Sequence, residues 1–208
     1  FSAVARTPER VTSDDGIVVL GGRSGSVVEN RKFIAGGFSG IDHYTICDLE
    51  AAYRDDRFFV QGEALCSTFA TKERPGVITN GVKTYNIDGS ESVSFWGGYL
   101  VGSYMLRGKQ RSYSNSGAAF SNVNNEVEPG GNVELMIGAS AIDTQGYMGQ
   151  AYEALGAVNW YPNTAMMLGL SYTFTSFSKD AVALGRLRSS SGDGLSYRTL
   201  QLRAQFVF

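Results

Sequence analysis

The sequence predicts an all-β protein, an antiparallel β-barrel that crosses a membrane, and three observations on its 208 residues favour this class. Gly is abundant at 26 residues, aromatic residues make up 12%, and Pro is scarce at 4, a composition that suits many strands joined by turns. No apolar run approaches the roughly 18 residues that a spanning helix needs, so a membrane location requires a closed sheet. The third observation is the pattern of residues 195–208.

Residues 195–208 read LSYRTLQLRAQFVF and alternate with a period of two, as a strand with one apolar and one polar face does. The apolar face carries Leu200, Leu202, Ala204, Phe206 and Phe208, and the polar face carries Thr199, Gln201, Arg203 and Gln205. In a membrane barrel the apolar face meets lipid and the polar face lines a wet lumen. A soluble β-sandwich, in which the apolar face points inward, is the alternative.

Eight segments of the chain carry strand patterns, and the connections between them alternate in length. The segments are residues 1–10, 42–56, 57–70, 92–107, 131–142, 147–161, 164–177 and 195–208. With the C-terminus on the periplasmic side, the short turns at 55–57 and 161–164 are periplasmic. Transmembrane barrels have short periplasmic turns and longer external loops.

The remaining connections mostly follow the same rule. The long connections at 11–41, 71–91 and 178–194 fall on the external side, as the rule requires. Two connections depart from it: the external one at 143–146 is short, and the periplasmic one at 108–130 is long.

Aromatic residues near the strand ends support a membrane location, because barrels carry aromatic girdles at both interfaces. The residues expected in these girdles are Trp96, Tyr152, Trp160, Tyr161, Phe206 and Phe208. In a soluble β protein the same residues would belong to an ordinary core.

Five stretches, taken in order, resemble the phosphate-selective porin (porin O/P) family of bacterial outer membranes. They are LEAAYRDDRFFVQGEAL (49–65), GGYLVGSYMLRGKQRSY (97–113), NVELMIGASAIDTQ (132–145), AVNWYPNTAMMLGLSYT (157–173) and LQLRAQFVF (200–208). The resemblance implies a sixteen-stranded porin, normally a homotrimer, of which about eight strands lie in this chain. Residues 1–208 would then be the C-terminal half of a single barrel domain.

The resemblance also implies that some external loops and one periplasmic turn fold into the lumen and build a basic constriction. The long connection at 108–130 fits such a turn. The sequence departs from the family where a lumenal Arg is usual and Gly138 stands instead, and where Arg107-Gly108-Lys109 replaces Thr-Gly-Glu. One basic site is lost and others appear, which leaves the choice of solute open.

Fixed positive charge at a narrow point of the lumen is what anion selectivity requires. The candidate anion-binding, pore-lining residues are Arg203, Arg107, Lys109 and Arg111, together with Arg23, Arg31 and Lys32 if the 11–41 loop folds inward. Arg suits phosphate because its planar fork donates two bonds to one oxyanion. The inward acids Asp48, Glu50, Glu63, Glu134 and Glu153 either oppose anion entry or pair with the arginines.

The expected function is therefore passive diffusion of small anions, phosphate or related oxyanions, through a porin of the bacterial outer membrane. The expected partners are outer-membrane lipid, small inorganic anions and two further copies of the chain. The formal charge of −2 speaks against nucleic acid, and we expect no catalytic residue, metal or cofactor. A signal peptide is expected for such a protein and is absent from this chain. A general diffusion porin and a closed eight-stranded anchor or adhesin are the alternatives.

Cys47 and Cys66 share the lipid-facing parity of adjacent predicted strands. With a two-residue turn at 56–57 they lie directly opposite each other. A cross-strand disulfide is possible in an oxidising compartment, and two free thiols packed against lipid are the alternative.

Overall fold

Eleven antiparallel strands make up most of the described part of the computed structural model. The structure describes residues 2–6, 16–23, 32–71, 92–114, 119–121, 126–144, 149–179 and 194–206. The strands are β1 (Ser2–Arg6), β2 (Gly16–Arg23), β3 (Lys32–Arg54), β4 (Phe58–Thr71), β5 (Ser92–Arg107), β6 (Tyr113–Ser114), β7 (Ala119–Phe120), β8 (Asn132–Asp143), β9 (Gln150–Asn163), β10 (Met166–Phe177) and β11 (Leu195–Phe206). Within these residues no helix is long and apolar enough to cross a membrane.

Nine of the strands form one sheet, and the chain runs up and down through it. The order is β1-β3-β4-β5-β8-β9-β10-β11, with β2 paired to β3 outside this path. Strands β6 and β7 form a separate two-stranded hairpin. Every pairing is antiparallel, and each long strand neighbours the next long strand in the sequence, which is the meander predicted from the alternating connections.

The eight predicted strands are all present, but the 11–41 connection is not only a loop. Strand β3 begins at Lys32, ten residues before the predicted start, and its first part pairs with β2. The β2 sequence GIVVLGGR is rich in Val and Leu and finds its partner in KFIAGGFSG. These two segments therefore extend the sheet as a hairpin, a possibility that the loop interpretation missed.

Two short turns set the register of their neighbours, as predicted. At the β3–β4 turn the Asp55 amide donates to the Phe58 carbonyl at 2.8 Å. At the β9–β10 turn the Ala165 amide donates to the Asn163 side-chain oxygen at 2.9 Å. Asn favours turns because its side chain satisfies the backbone in this way.

The two faces of the sheet differ as the alternation predicts. Leu202 and Leu200 are 82% and 70% exposed, Ile137 on β8 is 72% exposed, and all three lie on the apolar face, which we call the outer face. The registers Leu170↔Leu202 and Tyr172↔Leu200 keep apolar residues together across strands. Exposed hydrocarbon of this extent is what a lipid-facing wall presents.

The opposite face, the inner face, carries the buried and polar side chains. Ser103, Thr173 and Thr175 are buried there, and so is Phe59. Arg203 lies on this face, opposite Gly169 and one residue from exposed Leu202. The exposed apolar side chains of these strands therefore lie outside, whereas the inner face combines polar side chains with buried aromatic ones such as Phe59.

Four of the six aromatic residues expected in the girdles are exposed on the outer face, and one of the six needs a correction. Trp96, Tyr152, Trp160 and Phe206 are exposed, between 42% and 56%. Tyr161 is wrong as a girdle residue, because it is buried at 7% exposure and points to the inner face. Consecutive strand residues point to opposite faces, so Trp160 and Tyr161 cannot both face lipid. Phe208 lies outside the described residues.

Candidate functional site

The long periplasmic connection turns back onto the inner face of the sheet directly after β5. The turn begins at Gly108, whose φ of 88° is a left-handed conformation that favours glycine. A Cβ at this position would lie 2.3 Å from the Asn132 side-chain oxygen, so a larger residue cannot replace it unchanged. Gly108, the residue that Arg107-Gly108-Lys109 shares with Thr-Gly-Glu, thus permits a sharp reversal of the chain.

Buried Gln110 fixes the reversed chain against the sheet. Its backbone amide donates to the Asp56 carbonyl at 2.8 Å. Its side-chain nitrogen donates to the Ser103 hydroxyl at 2.7 Å, and Ser103 lies on the inner face of β5. One residue therefore ties the connection both to the β3–β4 turn and to the wall.

Arg111 supplies the strongest contact between this connection and the wall. Its Nη2 donates to Glu134 Oε1 at 2.9 Å, and Glu134 on β8 is completely buried. The guanidinium carbon also lies 4.7 Å from the centroid of the Phe59 ring. A guanidinium over an aromatic face is attracted by the ring quadrupole, so Arg111 is held by two independent interactions.

Glu134 is the centre of a fully bonded polar cluster. Its second carboxylate oxygen accepts a hydrogen bond from the Tyr161 hydroxyl at 2.8 Å and one from the Asn159 amide at 3.2 Å. A buried carboxylate is costly unless it is paired and hydrogen-bonded. Arg111, Tyr161 and Asn159 together meet this requirement, as expected for inward acids that pair with arginines.

The β6–β7 hairpin continues the contact along the inner face. The Ser112 amide donates to the Ser121 hydroxyl at 2.9 Å and closes the hairpin. The Phe120 ring meets Phe59 edge-on, with centroids 4.9 Å apart, and Tyr113 contacts Phe120 at the same distance. We call residues 108–121, where described, the inner segment, because all of these contacts hold it against the inner face.

A row of polar side chains crosses the inner face at a different depth from the Glu134 cluster. The row runs through seven adjacent strands as Glu50, Glu63, Tyr99, Ser140, Glu153, Thr175 and Tyr197. We call this set the carboxylate–hydroxyl row. Glu50 and Glu63 are direct partners, and like charges in that arrangement repel.

Neighbouring groups partly compensate this repulsion. Gln61 donates to Glu50 Oε1 at 2.7 Å and to the Tyr99 hydroxyl at 3.3 Å. Further along the same row, the Thr175 hydroxyl donates to Glu153 Oε2 at 3.1 Å. The acids predicted to face inward therefore do so, and they give this level of the inner face negative charge.

Arg203 and Lys109 are exposed on the described surface. Arg203 projects from the inner face of β11 and donates to the Gln205 side-chain oxygen at 2.8 Å. Lys109 lies at the start of the inner segment. Because Gly169 stands opposite Arg203, no side chain there crowds the guanidinium.

Arg107 is placed by a register shift that the simple alternation did not include. A shift between Met105 and Arg107 makes Val133 the partner of Arg107. Its Nη2 donates to the Pro129 carbonyl in the turn before β8. The guanidinium therefore bonds to the periplasmic turn.

The remaining predicted cations lie in or near the β2–β3 hairpin. Arg23 and Lys32 are Cα partners at its end, and Arg31 lies outside the described residues. Gly138, where the family usually has a lumenal Arg, lies on the inner face between Val101 and Leu155. A Cβ added there would meet only ordinary contacts, the nearest at 3.6 Å, so the backbone leaves room for a side chain to begin.

Cys47 and Cys66 are direct partners across β3 and β4, as the two-residue turn predicted. Both are exposed free thiols. The described residues contain no cluster of three or more potential metal ligands.

A sheet with an apolar outer face, a polar inner face and a connection folded onto that inner face defines the wall of a porin. The family model described as phosphate-selective porin O and P matches residues 4–208. The chain belongs to this family. The sheet is accordingly part of an outer-membrane β-barrel, and the family is one of channels, not of enzymes. No curated protein matches the chain.

Proposed function

We propose that the chain forms the C-terminal half of a sixteen-stranded porin, assembled as a homotrimer, that passes small anions by passive diffusion. Phosphate or a related oxyanion is the favoured solute. The outer face contacts lipid, and the solute moves along the inner face through water. Transport of this kind requires neither a catalytic residue nor a cofactor.

The observation that supports the proposal is that the inner face has positive charge from two separate parts of the chain. Arg203 comes from β11, whereas Lys109 and Arg111 come from the inner segment. Fixed positive charge beside a narrowed lumen favours anions. Arg111 is paired with Glu134, so Arg203 and Lys109 are the residues of this group that we assign to the solute.

The edges of the sheet support a barrel larger than eight strands. Among the described strands, the path ends at β1 and β11, and no ladder joins these two. An unpaired strand edge is not tolerated in lipid, because its backbone groups lack partners. Additional strands would satisfy these edges, whereas a closed eight-stranded anchor would require β1 to pair with β11.

A general diffusion porin is the second candidate, and the carboxylate–hydroxyl row favours it. Glu50, Glu63 and Glu153 face the same lumen as Arg203 and oppose anion entry. The balance between this row and the cations decides the selectivity.

Reversal potentials of the full-length protein in planar bilayers test the proposal. Under a KCl gradient we expect the sign that corresponds to chloride permeation, and replacing chloride by phosphate should retain the anion preference. A reversal potential near zero would support the general porin, and a cation preference would contradict anion transport.

A further inference from the structure

We propose that Cys47 and Cys66, which are two free thiols in the structure, are oxidised in the outer membrane to a cross-strand disulfide that joins β3 to β4 at the external boundary of the membrane. Their backbones are already direct partners in the sheet. Directly opposite residues have Cβ atoms about 4.5–5.5 Å apart, and a disulfide needs about 3.5–4.5 Å. A small closure of the two strands is therefore sufficient.

The depth of the pair follows from its distance to the periplasmic turn. Nine residues separate Arg57 from Cys66 along β4. At about 3.3 Å per residue and a tilt of about 40°, this spans roughly 23 Å of height. The apolar band of a barrel is about 25 Å tall, so the two thiols lie near its external limit.

The residues next to the pair mark the same boundary independently. The row directly beyond it on the outer face consists of Thr45, Thr68 and Ser94. The hydroxyls of Thr68 and Ser94 lie 3.0 Å apart and share a hydrogen bond. Trp96, the partner of Cys66 on β5, is an exposed aromatic residue of the kind found at headgroup level. The thiols are thus within reach of reagents dissolved in water.

The chemistry needs only a disulfide-carrying oxidant, which the oxidising compartment outside the inner membrane provides. The thiolate of one cysteine attacks a sulfur of the oxidant and forms a mixed disulfide. The second thiolate then attacks the protein sulfur of that mixed disulfide and releases the oxidant as a dithiol. Two electrons and two protons pass from the cysteines to the oxidant.

The test is thiol counting on the full-length protein extracted from outer membranes without reductant. The protein is denatured, alkylated with N-ethylmaleimide and digested, and the masses of the peptides that contain Cys47 and Cys66 are compared before and after reduction. We expect no adduct on either cysteine before reduction and one adduct on each after it, with a proteolytic fragment that joins Cys47 to Cys66 before reduction. A cross-linked fraction below one half overturns the proposal.

Two variants serve as controls. Cys47→Ser and Cys66→Ser each leave one thiol and should each give one adduct without reduction. The disulfide is refuted if the remaining cysteine of either single variant also gives no adduct without reduction. That result would mean that another modification blocks the thiols of the unsubstituted protein. The readout is a mass, so failure of this proposal is distinguishable from failure of the anion-transport proposal.

Discussion

Arg111 and Glu134 are joined by an ion pair of 2.9 Å although 23 residues separate them in the chain. One residue lies on the inner segment and the other on the wall, so this contact helps to hold the segment against the inner face. Glu134 is completely buried and the Arg111 side chain is 23% exposed, so the pair is more shielded from solvent than a surface salt bridge.

Removing the arginine should release the inner segment. Arg111→Ala leaves a buried carboxylate without its charge partner, which typically costs about 3 kcal/mol or more. We expect the free energy of unfolding in lipid vesicles to fall by that order, and single-channel conductance to rise because the segment no longer holds its position. Lys109→Ala is the control for stability, since Lys109 is exposed in the same segment and its removal should leave the free energy of unfolding close to that of the unsubstituted protein. Equal conductance in the Arg111 variant would contradict the anchoring role.

Arg203 should contribute directly to anion preference. A unit charge about 6 Å from an ion in water is worth about 0.7 kcal/mol, roughly a threefold change in relative permeability. Arg203→Gln should lower the anion-to-cation permeability ratio by that order in planar bilayers. Arg198→Gln is the control on the same strand, because Arg198 is exposed opposite Phe174 on the outer face. If both variants shift the ratio equally, the effect does not come from the lumen.

Neutralising the carboxylate–hydroxyl row should move selectivity in the opposite direction. The double variant Glu50→Gln and Glu63→Gln removes two facing negative charges. We expect a higher anion-to-cation ratio from the reversal potential, and no loss of stability, because the repulsion between the pair disappears. Glu128→Gln, in the exposed periplasmic turn, should change neither. A fall in anion preference would mean that the row does not face the ion path.

Gly138→Arg should restore a cation on the inner face. The nearest atoms to an added Cβ are 3.6 Å away, so the first side-chain atom meets only ordinary van der Waals contacts. We expect the anion-to-cation permeability ratio to rise roughly threefold, the effect of one unit charge about 6 Å from the ion. Gly138→Gln adds a side chain of similar reach without charge and should reduce conductance without changing the permeability ratio. An unchanged ratio in the Arg variant would exclude this level of the lumen from the selectivity region.

Much of the wall could be predicted from the sequence because a strand exposes alternate residues to two different solvents. The pattern of 195–208 was sufficient to place Leu202 outside and Arg203 inside, and the two-residue turn was sufficient to pair Cys47 with Cys66. Both features are local. The periodicity of a strand or the length of one turn determines them.

The remaining features depend on contacts that local patterns do not encode. The Arg107 register shift moves one residue relative to its partner strand and leaves no mark in the alternation. The cluster around Glu134 joins residues from β8, β9 and the inner segment. Predicting it would have required both the strand register and the path of the connection. The inward orientation of Tyr161 could have been predicted, because its neighbour Trp160 was already assigned to the outer face and consecutive strand residues point to opposite faces.

The central claim is that the apolar face meets lipid and the polar face meets water, and Leu202 and Arg203 test it side by side. In a Cys47→Ser/Cys66→Ser background, a nitroxide spin label is placed at Leu202→Cys or at Arg203→Cys in the membrane-reconstituted protein. The label at 202 should collide mainly with oxygen, which concentrates in lipid. The label at 203 should collide mainly with a water-soluble nickel chelate. Equal accessibility at the two positions, or the reverse order, would contradict the porin wall described for this chain.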